Sequence, residues 1–336
     1  MSRYSRQELF AGIGREGQQR IRQSRLLVVG CGALGSALAE TMVRAGVGSL
    51  TVVDRDYLEE SNLQRQSLFD EEDVASGLPK AVAAEARLRR INSEVEIRGV
   101  VADLGPENID DLVKGVSLVL DGTDNFETRF LVNDVCVRDG IPWVYGACVG
   151  SYGLALLVRP RVSPCLRCIL EEMPVPGSGP TCDTVGVVAP IVQVVAGIQA
   201  AEALKLLAGR AEALLPGVVT VDLWQGTFEV MDLHGRAPWC PACAEGRYDY
   251  LAPGAGSAVL CGRDAVQLRA PAGAQLDLAA LASRLRAVGQ VTANEYLVRF
   301  LGPGAELVVF ADGRAIVKGV GDVAQARGVY ARYVGN

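Results

Sequence analysis

The chain has 336 residues, with 33 lysines and arginines against 39 aspartates and glutamates, a formal net charge of −6. That balance leaves no general basic surface for a nucleic-acid backbone, so nucleic acid is excluded as the main partner. The first residues, MSRYSRQELF, lack the apolar core of a signal peptide, and no unbroken apolar run reaches the roughly 20 residues that span a bilayer, which predicts a cytoplasmic protein with no membrane partner. Nine cysteines in a chain of this size point to metal binding or thiol chemistry more than to a disulfide framework. A single histidine, His234, excludes a histidine-rich catalytic metal site and argues against a Ser-His-Asp triad; it reads as an ordinary strand-end or loop residue.

In chain order, LLVVGCGALGS (26–36) predicts a buried strand, a Gly-x-Gly-x-x-Gly turn and the start of a helix. Such a turn brings backbone N–H groups to a phosphate without naming the nucleotide. Helical periodicity over 34–47 ends at Gly48, and the apolar strand Ser49 to Asp54 follows, completing a βαβ unit. The alternation continues with a helix over 80–92, a strand over 94–102, and a strand within SLVLDGTDN (117–125) whose C-terminal end is polar. Residues 141–149 and 153–160 extend the sheet, a long helix runs from Val188 to Ala208, and 217–233 reads as a hairpin. This pattern predicts an α/β fold with a doubly wound, Rossmann-like, mostly parallel sheet and ligands outside the strands' C-terminal ends.

Proline and glycine cluster in EGRYDYLAPGAGS, so residues 246–256 are read as a linker between a first domain, 1–245, and a small α+β domain, 257–336. The second domain is expected to hold strands over 258–262, 265–270, 295–301, 305–310 and 314–320, with helices over 276–288 and 323–334. Asp312-Gly313 between two apolar runs marks a hairpin.

Four groups of residues and one further thiol carry chemistry. Asp54, at a strand end 24 positions past Gly30, suits the ribose hydroxyls of a nucleotide lacking a 2′-phosphate, leaving both NAD and ATP open. SNLQRQ (Ser61 to Gln66), with Lys80, adds cations that a triphosphate needs more than a dinucleotide does: Arg65 can grip phosphate oxygens in pairs and Lys80 can act as a point charge. In DGTDNFETR, Asp124 is placed to hold Mg²⁺ and Asn125 to contact adenine or phosphate, with Asp121 or Asp124 expected to cap the next helix. Cys165 and Cys168 in CLRC, with Cys240 and Cys243 in CPAC, supply the four thiolates of a closed structural zinc site. Of the other thiols, Cys31, Cys136, Cys148 and Cys261 read as small buried hydrophobes. Cys182 stands in a polar, glycine-rich loop just before the long helix, whose dipole would lower its pKa, and is a candidate reactive thiol.

RYSRQ, GCGALG, SNLQRQ, Lys80, DGTDN and the two knuckles together resemble the ThiF/MoeB/HesA family of ubiquitin-activating-enzyme-like adenylyltransferases over about the first 245 residues. The resemblance implies that the C-terminal Gly-Gly carboxylate of a small ubiquitin-like sulfur carrier of the ThiS or MoaD kind attacks the α-phosphate of MgATP. Pyrophosphate leaves, and the acyl-adenylate awaits a sulfur donor such as a cysteine desulfurase or sulfurtransferase. It further implies nucleotide contacts from Gly30, Gly32, Ala33, Gly35, Asp54, Ser61, Asn62, Leu63, Gln64, Arg65, Lys80, Asp124 and Asn125. Arg6 would reach phosphates in the neighbouring subunit of a homodimer, and Cys182 would bond covalently to the carrier. Ala33 stands where many relatives have a third glycine, and its N–H is retained. The C-terminal extension resembles that of a longer form within the family and, loosely, a ubiquitin fold. The competing reading is an NAD-dependent oxidoreductase with structural zinc, which lacks an evident base at a hydride site.

Overall fold

The computed structural model describes residues 3–174, 179, 181–233, 235–252, 265–268, 275–320 and 322–335. His234, Cys261 and the strand expected over 258–262 lie outside them. The chain opens with α1 (Ser5–Leu9) and α2 (Gly14–Gln23), then enters β1 (Arg25–Val29), α3 (Ala33–Ala45) and β2 (Ser49–Asp54). The next stretch holds two short helices, α4 (Glu60–Leu63) and α5 (Glu71–Ser76), before α6 (Lys80–Ile91) and β3 (Glu96–Val101). Then come α7 (Ile109–Val113), β4 (Leu118–Asp121), α8 (Phe126–Asp139), β5 (Trp143–Val149) and β6 (Tyr152–Val158). After α9 (Leu166–Ile169) and α10 (Cys182–Val185), the long α11 (Ala189–Leu207) leads to the hairpin β7 (Gly217–Asp222) and β8 (Thr227–Asp232).

The eight strands lie in the order β3-β2-β1-β4-β5-β6-β7-β8. From β3 to β5 every pairing is parallel, and from β5 to β8 every pairing is antiparallel. The chain leaves β1 toward β2 and β3, then returns to place β4 on the other side, so the order reverses between β1 and β4. In such sheets the crevice at the reversal is where ligands bind, and both the glycine turn and the DGTDN loop open there. The buried runs of β1 and β4 follow from this position, since a parallel strand covered on both faces reads as continuously apolar. One face is covered by α3, α6 and α11 and the other by α7, α8 and the cysteine knuckles. The helix α11 is long and apolar enough to cross a membrane by composition, yet it packs on β5, β6 and α3 as a core helix.

The expected boundary at 245 precedes a short turn, Asp249–Leu251, that docks on α8: the Tyr250 ring packs tilted against Phe130 with centroids 4.9 Å apart, and its N–H donates to Asp134. The C-terminal part holds β9 (Ala265–Leu268), α12 (Leu278–Leu285), β10 (Gln290–Ala293), β11 (Leu297–Gly302), β12 (Ala305–Phe310), β13 (Ala315–Lys318) and α13 (Val323–Tyr333). Its sheet, β10-β11-β12-β13-β9, is antiparallel at each described pairing and carries two helices, α12 and α13. The hairpin at Asp312-Gly313 forms as predicted, whereas β10 has too little apolar alternation to be read from sequence.

Candidate nucleotide site and cysteine cluster

The glycine turn is built by close backbone packing. Gly30 has φ +83°, and its N–H donates to Val53 O at 2.8 Å. A Cβ at Gly35 would sit 1.8 Å from Gly30 O, so α3 can approach β1 only with glycine there. A Cβ at Gly32 would meet nothing nearer than Gly122 O at 3.9 Å. Sterics within the chain therefore account for Gly30 and Gly35 and leave the space above Gly32 open, beside the N–H groups of Ala33 and the first turn of α3.

Asp54 stands at the crevice as its sequence position predicts. Its Oδ2 accepts from the Cys31 N–H at 2.5 Å and its Oδ1 from the Asp56 N–H at 2.7 Å, which locks the carboxylate while leaving a second lone pair on each oxygen. Burial pushes its pKa up and the Lys80 charge opposes the rise. Lys80 is 4% exposed at the first position of α6, with Nζ 2.7 Å from Asp56 Oδ2. A buried ammonium needs such a partner, and Asp56 is a residue that sequence reasoning missed. Arg65 donates to its own Ser61 O at 2.7 Å, and among the described residues it has no carboxylate partner. Ser61 and Gln64 are exposed, Leu63 packs beside the core, and Asn62 is buried, holding the Glu59 N–H at 3.1 Å in a reciprocal cap of α4.

After β4, Asp124 is exposed. The cap of α8 is Asn125, whose Oδ1 accepts from Thr128 N–H at 2.9 Å, which corrects the expectation that Asp121 or Asp124 would cap it. Asp121 is instead buried, 3.3 Å from Arg129 Nε, and accepts from the Thr123 N–H and hydroxyl. Arg129 donates to Thr123 O and lies over the Tyr145 ring, bracing the loop beneath Asp124. Arg55, also unforeseen, pairs with Asp103 at 3.0 Å. Burial works against its charge, but Asp103 and Asp124 outweigh that and raise its pKa.

Arg6 is exposed on α1, and Gln7 beside it donates to Ala45 O at the far end of α3. Thirteen residues of helix separate that end from the glycine turn, roughly 18 Å at about 1.5 Å per residue, so Arg6 does not serve its own chain's turn. Cys182 starts the one-turn α10, and α11 begins only at Ala189, so the long helix does not point at this thiol as expected. Its Sγ donates to Cys148 O at 3.1 Å. Cys148 is half-buried, and Cys31 and Cys136 are fully buried with thiols pushed up by burial.

The four knuckle thiols converge. Their sulfur atoms all lie within 4.8 Å of one another, with Cys165–Cys240 at 3.6 Å, Cys168–Cys243 at 3.2 Å and Cys165–Cys168 at 3.9 Å. A tetrahedral ion at about 2.3 Å from each thiolate would set sulfur–sulfur edges of about 3.8 Å, so the donors fit a four-thiolate metal. The Cys168 thiol is held below the ordinary range by hydrogen bonds from Cys165 and Cys243. The cluster joins α9 to the segment after β8 and sits on α8, where Leu166 N–H donates to Asn133 at 2.9 Å.

A model of the "ThiF family" matches residues 4–242, which takes in the nucleotide crevice and the first three cysteines of the cluster and ends one residue before Cys243. The chain belongs to the ThiF family. A "Sulfur carrier protein ThiS adenylyltransferase" of Bacillus subtilis is 47% identical over 99% of each chain. A "SAMP-activating enzyme E1" of Haloferax volcanii is 42% identical over 75% of this chain and 92% of its own. A "Sulfur carrier protein adenylyltransferase" of Thermus thermophilus is 38% identical over 73% and 91%. Among solved structures, E. coli MccB with ATP superposes with a TM-score of 0.63 over 72% of this chain and 74% of its own, at 22% identity, and shares the fold. The ThiF-family glycine turn, Asp54 and Lys80 thus lie together around one crevice. Asp56 and Arg55 could have been suspected from the density of charge in DRD at the end of β2.

Proposed function

We propose that this ThiF-family chain is an ATP-dependent adenylyltransferase acting on the C-terminal Gly-Gly carboxylate of a ThiS-like sulfur carrier. The observation that supports it above the rest is the 47% likeness along 99% of both chains to a ThiS adenylyltransferase, whereas the 42% and 38% relatives leave about a quarter of this chain unmatched.

In this reading the N–H groups from Gly32 to Gly35 receive phosphate and Asp54 accepts from the ribose hydroxyls. Lys80 and Arg65 swing from Asp56 and Ser61 O onto the phosphates. They neutralise charge as the carboxylate oxygen attacks the α-phosphorus and pyrophosphate leaves. Asp124 would hold Mg²⁺, which would neutralise phosphate charge ahead of the attack. Ser61, Asn62, Leu63, Gln64 and Asn125 shape the pocket wall. The four-cysteine cluster would hold zinc in a structural role, with no ligand position open. Arg6 would complete the site of a second copy in a homodimer, and Cys182 would bond covalently to the carrier, its thiolate displacing AMP from the acyl-adenylate to leave a thioester. A cytoplasmic setting fits this chemistry. The domain limits proposed remain 1–245, 246–256 and 257–336. The oxidoreductase reading loses its motive, since the ATP reading accounts for the glycine turn and Asp54 together with the cations.

Exchange of labelled pyrophosphate into ATP tests the proposal. Exchange should appear only when a ThiS-like carrier is added; a carrier of the MoaD kind supporting it better would move the substrate, and no exchange with either would overturn the reading.

A further inference from the structure

We propose that the C-terminal domain is a clamp on the nucleotide-site loops, with Arg314, Lys318 and Gln267 as positioning residues for ATP. The inference rests on the ATP reading above and extends it to a part of the chain that carries no expected catalytic group.

The sheet β10-β11-β12-β13-β9 has two apolar faces. One is covered by α12 and α13. The other closes on Tyr57, a 3% exposed residue three positions after Asp54, through Ala265, Leu297, Val308, Phe310 and Ile316. Around that contact the domain reaches the stretches next to Asp54, Ser61–Asn62 and Lys80, and through Asp103 and Arg55 the surroundings of Asp124. Arg314, buried over the Phe310 ring at 4.3 Å, donates to the carbonyl of Arg55 at 3.1 Å, directly after Asp54. Lys318 pairs with Glu59, which caps the turn bearing Ser61 and Asn62. Asn294 donates to Gly77 O at 3.0 Å, three residues before Lys80. Gln267, 2% exposed, donates to Asp103 Oδ2 at 3.1 Å, and Asp103 holds Arg55, whose charge Asp124 also faces.

These stretches lie between secondary-structure elements, where connecting segments are mobile unless something holds them. A site pays for ordering its loops when ligand binds, and holding them beforehand improves affinity without adding a contact. The tethers end on backbone carbonyls, a cap residue and the half-buried carboxylate of Asp103, none of which needs to touch ATP. Because the faces in question are used internally, a carrier-docking role is not where this side of the sheet is spent.

The test uses the full-length chain. Glu59→Lys and Lys318→Glu are made singly and together, with Lys318→Arg as the conservative variant and Asn294→Ala as an independent tether. Binding of a non-hydrolysable ATP analogue is measured by calorimetry without carrier, and KM for ATP, KM for carrier and kcat by exchange. Each single swap should raise the analogue Kd and the KM for ATP about fivefold, leaving kcat and the carrier KM unchanged, and the double swap and Lys318→Arg should restore them. Asn294→Ala should act in the same direction to a smaller extent, which keeps the test intact if a charge swap fails to fold. A rise in carrier KM alone, or unchanged ATP binding in every folded variant, would overturn the clamp. Failure of the unaltered chain to bind the analogue would instead overturn the ATP reading.

Discussion

The two candidate sites of this chain are assembled in opposite ways. The cysteine cluster is gathered before any ion is considered: two short knuckles put four thiols within 4.8 Å, on a platform of buried residues. The nucleotide site is dispersed over the ends of β1, β2 and β4 and the start of α6, and its cations rest on protein partners, Lys80 on Asp56 and Arg65 on Ser61 O. A closed metal site gains from rigidity alone. A site that must take in ATP and release pyrophosphate needs cations that can exchange one set of oxygens for another, and that needs loops held without being frozen.

That contrast can be broken from both sides. The largest effect is expected at the cluster: Cys240→Ser, at a fully buried ligand position, should lower stability by about 5 kcal/mol and abolish bound metal, read by thermal melting and metal analysis. Chelation of the unaltered chain should move the melt in the same direction, and a melt unmoved by chelation would remove the metal role. Next, Gly35→Ala drives a Cβ into Gly30 O and should cost about 3 kcal/mol in denaturant unfolding. Gly32→Ala, in open space, should leave stability intact and weaken only ATP binding. Asp124→Ala removes an exposed carboxylate, so the melt should hold while pyrophosphate exchange falls about a hundredfold. An Asp124 variant retaining exchange would assign magnesium elsewhere.

The smallest effect concerns pH. Burial works to raise the Glu59 pKa, but the hydrogen bond and charge of Lys318 prevail and hold it below the usual glutamate value. A lowered carboxyl pKa contributes stability that is present above the unfolded-state value and is lost as pH falls through the folded one. The tether should therefore weaken on the acid side of the ordinary glutamate range and by less than about 1 kcal/mol, since both partners are partly exposed. Lys318→Met should flatten that part of the acid-unfolding curve; an unchanged curve would show that the pair contributes nothing there.

The local signals proved readable where one segment held the whole reason for its structure. The strand Ser49–Asp54 matches its predicted limits, because an apolar run after a helix-ending glycine needs no distant partner to be recognised. The glycine turn and the knuckles were legible for the same reason: conformational freedom and ligand spacing are written in a few consecutive residues. Asn125 as helix cap, Asp56 as the Lys80 partner and the docking of Asp249–Leu251 on α8 were not, since each depends on which of several polar residues a neighbouring element happens to face.

By itself, then, the sequence determined the alternation of strands and helices, the phosphate turn with Asp54 beyond it, and a four-thiol cluster. Only the tertiary structure decided that the order reversal between β1 and β4 brings the glycine turn and the DGTDN loop to one crevice, and that the C-terminal sheet closes on Tyr57. Lys318 and Glu59 are 259 residues apart in the chain. No periodicity or short spacing encodes a contact at that range, because it arises from the shape two folded surfaces present to each other and not from the preferences of either segment.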